Sequence, residues 1–177
     1  MISIVPFILD ILKFTLAGTA VFFIAYSTIK AEIEKSRHLK LLDLKKSAQA
    51  TTLPLRLQAH ERIVLLIERI NPSSLLVRTH SPGLNVFQMQ QILTSEIQNE
   101  FQHNITQQVY LSNHAWIMVR RLKDDTINLI NQSAKTLDPD APSIELSKLI
   151  LNHMTSLEDN PYDAALALIK ADIQEVF

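Results

Sequence analysis

Residues 11–29 read ILKFTLAGTAVFFIAYSTI, a stretch whose single charged side chain is Lys13. Apolar residues continue toward the N-terminus, so a nearly unbroken apolar run covers roughly residues 5–29. A helix needs about 20 mostly apolar residues to cross the hydrocarbon layer of a bilayer. The stretch reaches this length if Lys13 lies near one end and its long side chain extends to the lipid interface. We therefore predict that residues 1–29 form a single transmembrane anchor in the lipid bilayer.

A cleaved signal peptide is the alternative interpretation of this segment. Such a peptide begins with basic residues and ends at a small-residue cleavage site. No Lys or Arg precedes Lys13, and the small residues at 17–20 are followed by further apolar residues. We therefore expect the segment to be retained as an anchor.

The distribution of basic residues predicts the orientation of the span. Lys13 is the only basic residue on the N-terminal side of the span, whereas several basic residues follow the span. The cytoplasmic flanks of membrane helices are rich in Lys and Arg. We predict a single-pass protein of the inner (cytoplasmic) membrane, with the N-terminus outside and the C-terminal domain in the cytoplasm. Lys13 and Lys30 would then lie at the membrane interfaces. The basic residues that follow the span are Lys30, Lys35, Arg37, Lys40, Lys45 and Lys46.

Composition favours an all-α protein. The chain has only 2 glycines, which argues against a sheet protein with many tight turns. It has no cysteine, so disulfides and thiolate metal ligands are excluded. The net charge of −1 gives no indication of a nucleic-acid partner, and no sequence motif predicts a cofactor.

Residues 30–50 are predicted to form a basic helical stalk, because they contain strong helix formers and neither Gly nor Pro. Their apolar positions do not keep a regular heptad repeat, so a homodimer through the stalk stays an option and a solvated stalk near anionic lipid is favoured. Thr51–Pro54 has the composition of a helix start. It marks the predicted boundary of a helical bundle domain, residues 51–177.

The apolar periodicity of this domain predicts a series of amphipathic helices. Asn85 with Gln88, Ser112, and Asn160 with Pro161 have the composition of helix N-caps. The last two helices are expected to pair as an antiparallel hairpin, and residues 105–111 are expected to be a final helical turn or an extended connector. The predicted helices cover residues 51–70, 85–103, 112–137, 143–157 and 161–176.

Glu100 and His103 are the best candidates for a metal site. The spacing Glu-x-x-His places a carboxylate and an imidazole on adjacent helical turns, as in di-metal helical bundles. Such bundles require a second copy of the motif, which this sequence lacks. Glu100 also continues the apolar row of its helix, and a buried carboxylate must be paired or protonated. We favour a structural ion pair to a buried arginine, such as Arg78 or Arg62.

Two further polar sites have structural explanations. His60 lies on an apolar face and is predicted to be a core histidine with satisfied hydrogen bonds. Asp124 and Asp125 resemble a carboxylate pair, but neighbouring residues on a helix point about 100° apart. We expect these two carboxylates to pair with the basic residues one turn earlier, Arg120 and Arg121.

Three segments together resemble one known family. They are LPLRLQAHERIVLLIERINP (53–72), EFQHNITQQVYLS (100–112) and ALALIKADIQEVF (165–177). Over nearly its full length the chain resembles an uncharacterised family of single-span helical proteins from Bacteroidota. The resemblance implies an N-terminal span, a short basic stalk and a helical domain, and implies no activity or catalytic residue.

Three functional hypotheses follow from this organisation. The favoured one is a membrane-tethered cytoplasmic interaction or scaffold protein without catalytic activity, which binds a protein partner. The second is a metal- or small-ligand-binding enzyme centred on Glu100 and His103. The third is a structural subunit of a larger membrane complex.

Overall fold

The computed structural model describes residues 4–174, and every regular element within them is helical. This confirms the predicted all-α class. The helices are α1 (Ile4–Ile70), α2 (Pro72–Thr79), α3 (Val86–Asn104), a short 3-10 helix (Ile105–Tyr110), α4 (Asn113–Lys135), α5 (Ser143–Ser156) and α6 (Pro161–Gln174).

Helix α1 continues through Thr51–Pro54, so the prediction of a helix start there is wrong, whereas the division of the chain into two compact units does fall at Thr51. Pro54 lies inside the helix, and the Thr51 hydroxyl donates a hydrogen bond to the carbonyl of Ser47, one turn earlier. An internal proline costs a helix about 3 kcal/mol through a lost hydrogen bond and a steric clash. The strong helix formers on both sides of Pro54 offset this cost.

The first of two compact units comprises Met1–Thr51. Its large apolar side chains from Phe7 to Ile29 are 49–78% exposed. By length and composition, helix α1 is able to cross a membrane in this part. Lys13 forms an ion pair with Asp10 at 3.1 Å, and Lys30 is exposed.

The second unit, Thr52–Phe177, contains a mostly aliphatic core. Helix α4 packs against α3, α5 and α6, and α2 packs against α3 and α5. Helices α5 and α6 thus share α4 as a neighbour. The predicted antiparallel hairpin between α5 and α6 stays a prediction. The largest side chains with less than 2% exposure are Ile63, Leu66, Ile67, Ile70, Leu75, Met89, Leu93, Ile97, Ile130, Leu146, Ile150 and Ile169.

The helix N-termini follow the predicted caps. Asn85 and Gln88 form a reciprocal capping box, in which each side chain accepts a hydrogen bond from the other residue's backbone N–H. Ser112 accepts from the Ala115 N–H at 3.2 Å, and Asn160 accepts from the Tyr162 N–H at 3.0 Å. The segment predicted as a turn or connector is the 3-10 helix. The end predicted for the last helix, at residue 176, lies outside the described residues.

One contact between distant loops links the starts of α3 and α5. The carbonyls of Ala141 and Pro139 accept hydrogen bonds from the backbone N–H groups of Val86 (2.9 Å) and Phe87 (3.1 Å). In return, the Leu84 carbonyl accepts from the Ser143 N–H at 3.0 Å. These bonds satisfy donors that a helix N-terminus otherwise leaves unpaired.

Candidate functional site

A cleft of about 440 Å³ lies between the C-terminal part of α1 and the end of α3. It contains both residues of the Glu-x-x-His motif together with two arginines of α1. Its lining residues are Arg62, Leu65, Leu66, Arg69, Glu100, His103 and Asn104.

Glu100 is paired within this cleft, but with a different arginine from those predicted. Its Oε1 lies 2.9 Å from Nη1 of Arg69, with the glutamate side chain 15% exposed and the arginine side chain 52% exposed. Arg78 instead pairs with Glu96 at 3.4 Å. Helical spacing gave the correct face for Glu100, but it could not show which turn of α1 lies opposite that face.

Arg62 lines the same cleft and has no ion pair or hydrogen bond within residues 4–174. It lies two helical turns before Arg69, so both side chains extend from one face of α1. The cleft therefore holds two guanidinium groups and one carboxylate. If His103 is counted as uncharged, the side chains that line the cleft carry a net positive charge.

His103 lines the cleft beside Glu100, and its Nδ1 is engaged within its own helix. Its Nδ1 lies 2.8 Å from the Asn99 carbonyl, which can only accept, so this nitrogen carries a proton. The Glu100 carboxylate is already engaged by Arg69, and the neighbouring guanidinium groups repel a divalent cation. Within residues 4–174, no group of three or more potential ligands is placed to hold a metal ion.

A second polar cluster is buried between α1, α6 and the start of α4. His60 Nε2 lies 2.9 Å from Oδ2 of Asp172, with side-chain exposures of 3% and 5%. His60 Nδ1 lies 2.7 Å from the carbonyl of Arg56, and the Ser112 N–H donates to Asp172 Oδ2 at 3.3 Å. The prediction of a core histidine with satisfied hydrogen bonds is confirmed.

The carboxylate of Asp172 has two partners in this cluster, the Ser112 N–H and the Nε2 of His60. Burial by itself raises the pKa of Asp172, but the hydrogen bonds from Ser112 and His60 outweigh it and hold that pKa below its ordinary value. Asp172 is therefore held in its ionised form within a buried contact to His60.

Asp172 is the important residue that the sequence analysis missed. A signal for it exists, because Ala165, Ile169 and Asp172 are spaced four and three residues apart and so share one face of α6. All three are at most 7% exposed. An acidic residue that continues a buried row predicts a buried partner, for Asp172 on α6 as for Glu100 on α3.

A third buried contact joins α6 to α4. The Thr126 hydroxyl donates to the Leu122 carbonyl at 2.7 Å, so the Tyr162 hydroxyl donates to Thr126 Oγ1 at 2.6 Å. Burial away from water raises the pKa of Tyr162 to about 12, and the nearby charge of Asp125 adds to the rise.

The two neighbouring carboxylates of α4 differ in their partners. Asp125 pairs with Arg121 at 3.7 Å, as predicted. Asp124 lies 2.6 Å from Lys123 rather than pairing with Arg120.

An apolar groove of about 540 Å³ lies between α1 and α6. Leu65, which is 60% exposed, lines both this groove and the arginine-containing cleft. Leu57 is 36% exposed in the groove wall. The lining residues are Leu57, His60, Glu61, Val64, Leu65, Ile169, Lys170 and Ile173.

Comparison with protein-family models matches residues 6–176 to a family of unknown function, DUF7935. Comparisons with curated proteins and with solved structures gave no match.

Proposed function

Since the chain belongs to this family of unknown function, we propose a role from its own residues: a membrane-tethered helical protein that binds a protein partner. The N-terminal part of α1 crosses the inner membrane once, with the N-terminus outside and the second unit in the cytoplasm. The resemblance described above implies a source in Bacteroidota. This source is consistent with the proposal, but the proposal does not depend on it.

The exposed apolar surface of the first unit is the observation that carries the proposal. From Phe7 to Ile29 every large apolar side chain is about half exposed or more, at 49–78%. Each such side chain would gain about 1.5–3 kcal/mol on leaving water. A lipid bilayer provides this burial along the whole segment, and the basic residues after the segment favour the cytoplasm.

The apolar groove supports the partner-binding part of the proposal. Leu57, Val64 and Leu65 line the groove beside Ile169 and Ile173, and among them Leu57 and Leu65 are exposed. Exposed apolar grooves of this kind accept apolar side chains of a partner. A homodimer through residues 30–50 or membership of a larger membrane complex would each supply such a partner.

Membrane extraction tests the anchor. The double variant Phe22→Asp/Phe23→Asp places two carboxylates in the span. Near the centre of a membrane helix, each Asp makes insertion into the bilayer less favourable by about 2.5–3.5 kcal/mol. We expect it to leave the membrane fraction on alkaline carbonate washing. The wild type and the matched control Phe22→Leu/Phe23→Leu should remain in that fraction. Release of the wild type would contradict the anchor.

Site-specific crosslinking tests the partner. A photoreactive residue at position 65 should give one discrete protein adduct in native membranes. The same residue at position 109, which is 76% exposed on the 3-10 helix, should not give that adduct. Equal adducts at both positions, or none at 65, would contradict a partner in the groove.

A further inference from the structure

The cleft between α1 and the end of α3 has the composition of an anion-binding site. We propose that it binds a small organic monoanion, a carboxylate carried on an apolar body, through Arg62 and Arg69. This inference does not depend on the membrane anchor or on a protein partner, because every residue that it uses lies in the second unit.

The charge of the cleft selects a monoanion. Arg62 and Arg69 contribute two positive charges, and Glu100 contributes one negative charge. One uncompensated positive charge remains, which a carboxylate neutralises. A phosphate dianion would leave the site with excess negative charge beside the Glu100 carboxylate.

The guanidinium groups retain donors for a ligand. A guanidinium has five N–H donors, and Arg69 uses only Nη1 toward Glu100. Arg62 uses none within residues 4–174. The two arginines are seven residues apart, which separates their positions by about 10.5 Å along the helix axis. Their long side chains can therefore approach one ligand from both ends of the cleft.

The remaining walls suit an apolar body of modest size. Leu65 and Leu66 lie between the arginines along α1, and Leu65 is 60% exposed. On the opposite side, Asn104 donates its Nδ2 hydrogen bond to the Glu100 carbonyl at 2.9 Å, which fixes its amide at the edge of the cleft. The volume of about 440 Å³ lies within the range of pockets that hold small ligands, about 300–1,000 Å³.

Glu100 acts in this arrangement as an internal competitor. Its carboxylate already occupies one Arg69 donor, so a ligand carboxylate has to share that guanidinium. Replacing Glu100 by Gln removes the competing charge and keeps the shape. The variant should therefore bind a carboxylate more tightly, an effect that a purely structural ion pair does not predict.

The probe is phenylacetate, with phenylacetamide as the neutral control of the same shape and phenyl phosphate as the dianion. The full chain in lipid nanodiscs, labelled with nitrogen-15 at arginine, is titrated while the Nε–Hε signals are followed by nuclear magnetic resonance. Empty nanodiscs provide the correction for partitioning into lipid. We expect phenylacetate to shift the Arg62 and Arg69 signals and to bind at least tenfold more tightly than phenylacetamide.

Variants separate the site from general surface charge. Arg62→Gln should weaken phenylacetate binding about tenfold, since one of two charge-assisted contacts is lost. The matched control Arg120→Gln removes an exposed arginine of α4 and should change nothing. Glu100→Gln should strengthen binding severalfold. Equal binding of acid and amide, equal effects of the two arginine variants, or tighter binding of phenyl phosphate would each overturn the proposal.

Discussion

Removal of Asp172 should destabilise the second unit more than removal of any exposed carboxylate. Asp172→Ala leaves the buried Nε2 of His60 and the Ser112 N–H without their carboxylate partner, and the His60 and Asp172 side chains are at most 5% exposed, so solvent screens the contact little. Breaking a buried ion pair by removing one partner costs about 3–5 kcal/mol. Loss of a hydrogen bond to a charged group costs about 1.5–3 kcal/mol. We therefore expect the free energy of unfolding to fall by about 2–5 kcal/mol.

The assay uses the single tryptophan of the chain. Trp116 is 8% exposed and stacks on Phe101 with ring centroids 5.3 Å apart, so its fluorescence reports unfolding of the second unit in the full chain. Urea titrations in mild detergent give the free energy of unfolding. Asp159→Ala, at an exposed loop position, is the matched control and should cost less than about 0.5 kcal/mol.

The pH dependence provides a second measurement on the same variant. The folded pKa of Asp172 lies below its ordinary value of 3.8, so its contribution to stability is complete above that pH and is lost as the pH falls through the folded pKa. Asp172→Asn should remove this part of the acid sensitivity. A loss below about 1 kcal/mol for Asp172→Ala, together with an unchanged acid profile, would refute the buried ion pair.

Three other predictions concern the stability and independent folding of the second unit. Tyr162 has a folded pKa of about 12 against 10.0 for the unfolded residue, so its contribution of about 2–3 kcal/mol is present below pH 10 and is lost as the pH rises toward 12. Tyr162→Phe should flatten stability over that interval in urea titrations, whereas Tyr110→Phe should not. Glu100→Ala should cost only about 1 kcal/mol, because its partner Arg69 is 52% exposed, and Glu100→Gln should cost less, both by Trp116 fluorescence. A cost of 3 kcal/mol or more would show a pair shielded from solvent. Residues 51–177 should fold without the span, with a cooperative helical melt by circular dichroism, and a gradual melt would contradict this.

The features predicted correctly from the sequence depend on residues close together in the chain. A capping box needs only Asn85 and Gln88, and the cap of α4 needs only Ser112 and the N–H three residues later. Apolar spacing likewise identified the buried face of α3, because a helix repeats every 3.6 residues. These local patterns were enough for the all-α class and for most helix bounds.

The features that were missed depend on which elements meet. Glu100 was placed on the correct face, but its partner Arg69 lies on another helix, and no spacing within α3 identifies it. The pairing of His60 with Asp172 joins residues 112 positions apart. The helix boundary at Pro54 was wrong for a different reason, because the helix formers around a proline outweighed its local cost.

Cysteine labelling tests the proposed topology directly, in which one span places the second unit in the cytoplasm. The sequence has no cysteine, so Val109→Cys introduces a single thiol at a position that is 76% exposed in the second unit. A membrane-impermeant maleimide is applied to spheroplasts before and after the inner membrane is opened, and an N-terminal peptide tag is detected from outside. We predict that the thiol is labelled only after the membrane is opened, while the tag is accessible in intact spheroplasts. Labelling of the thiol in intact spheroplasts would contradict it.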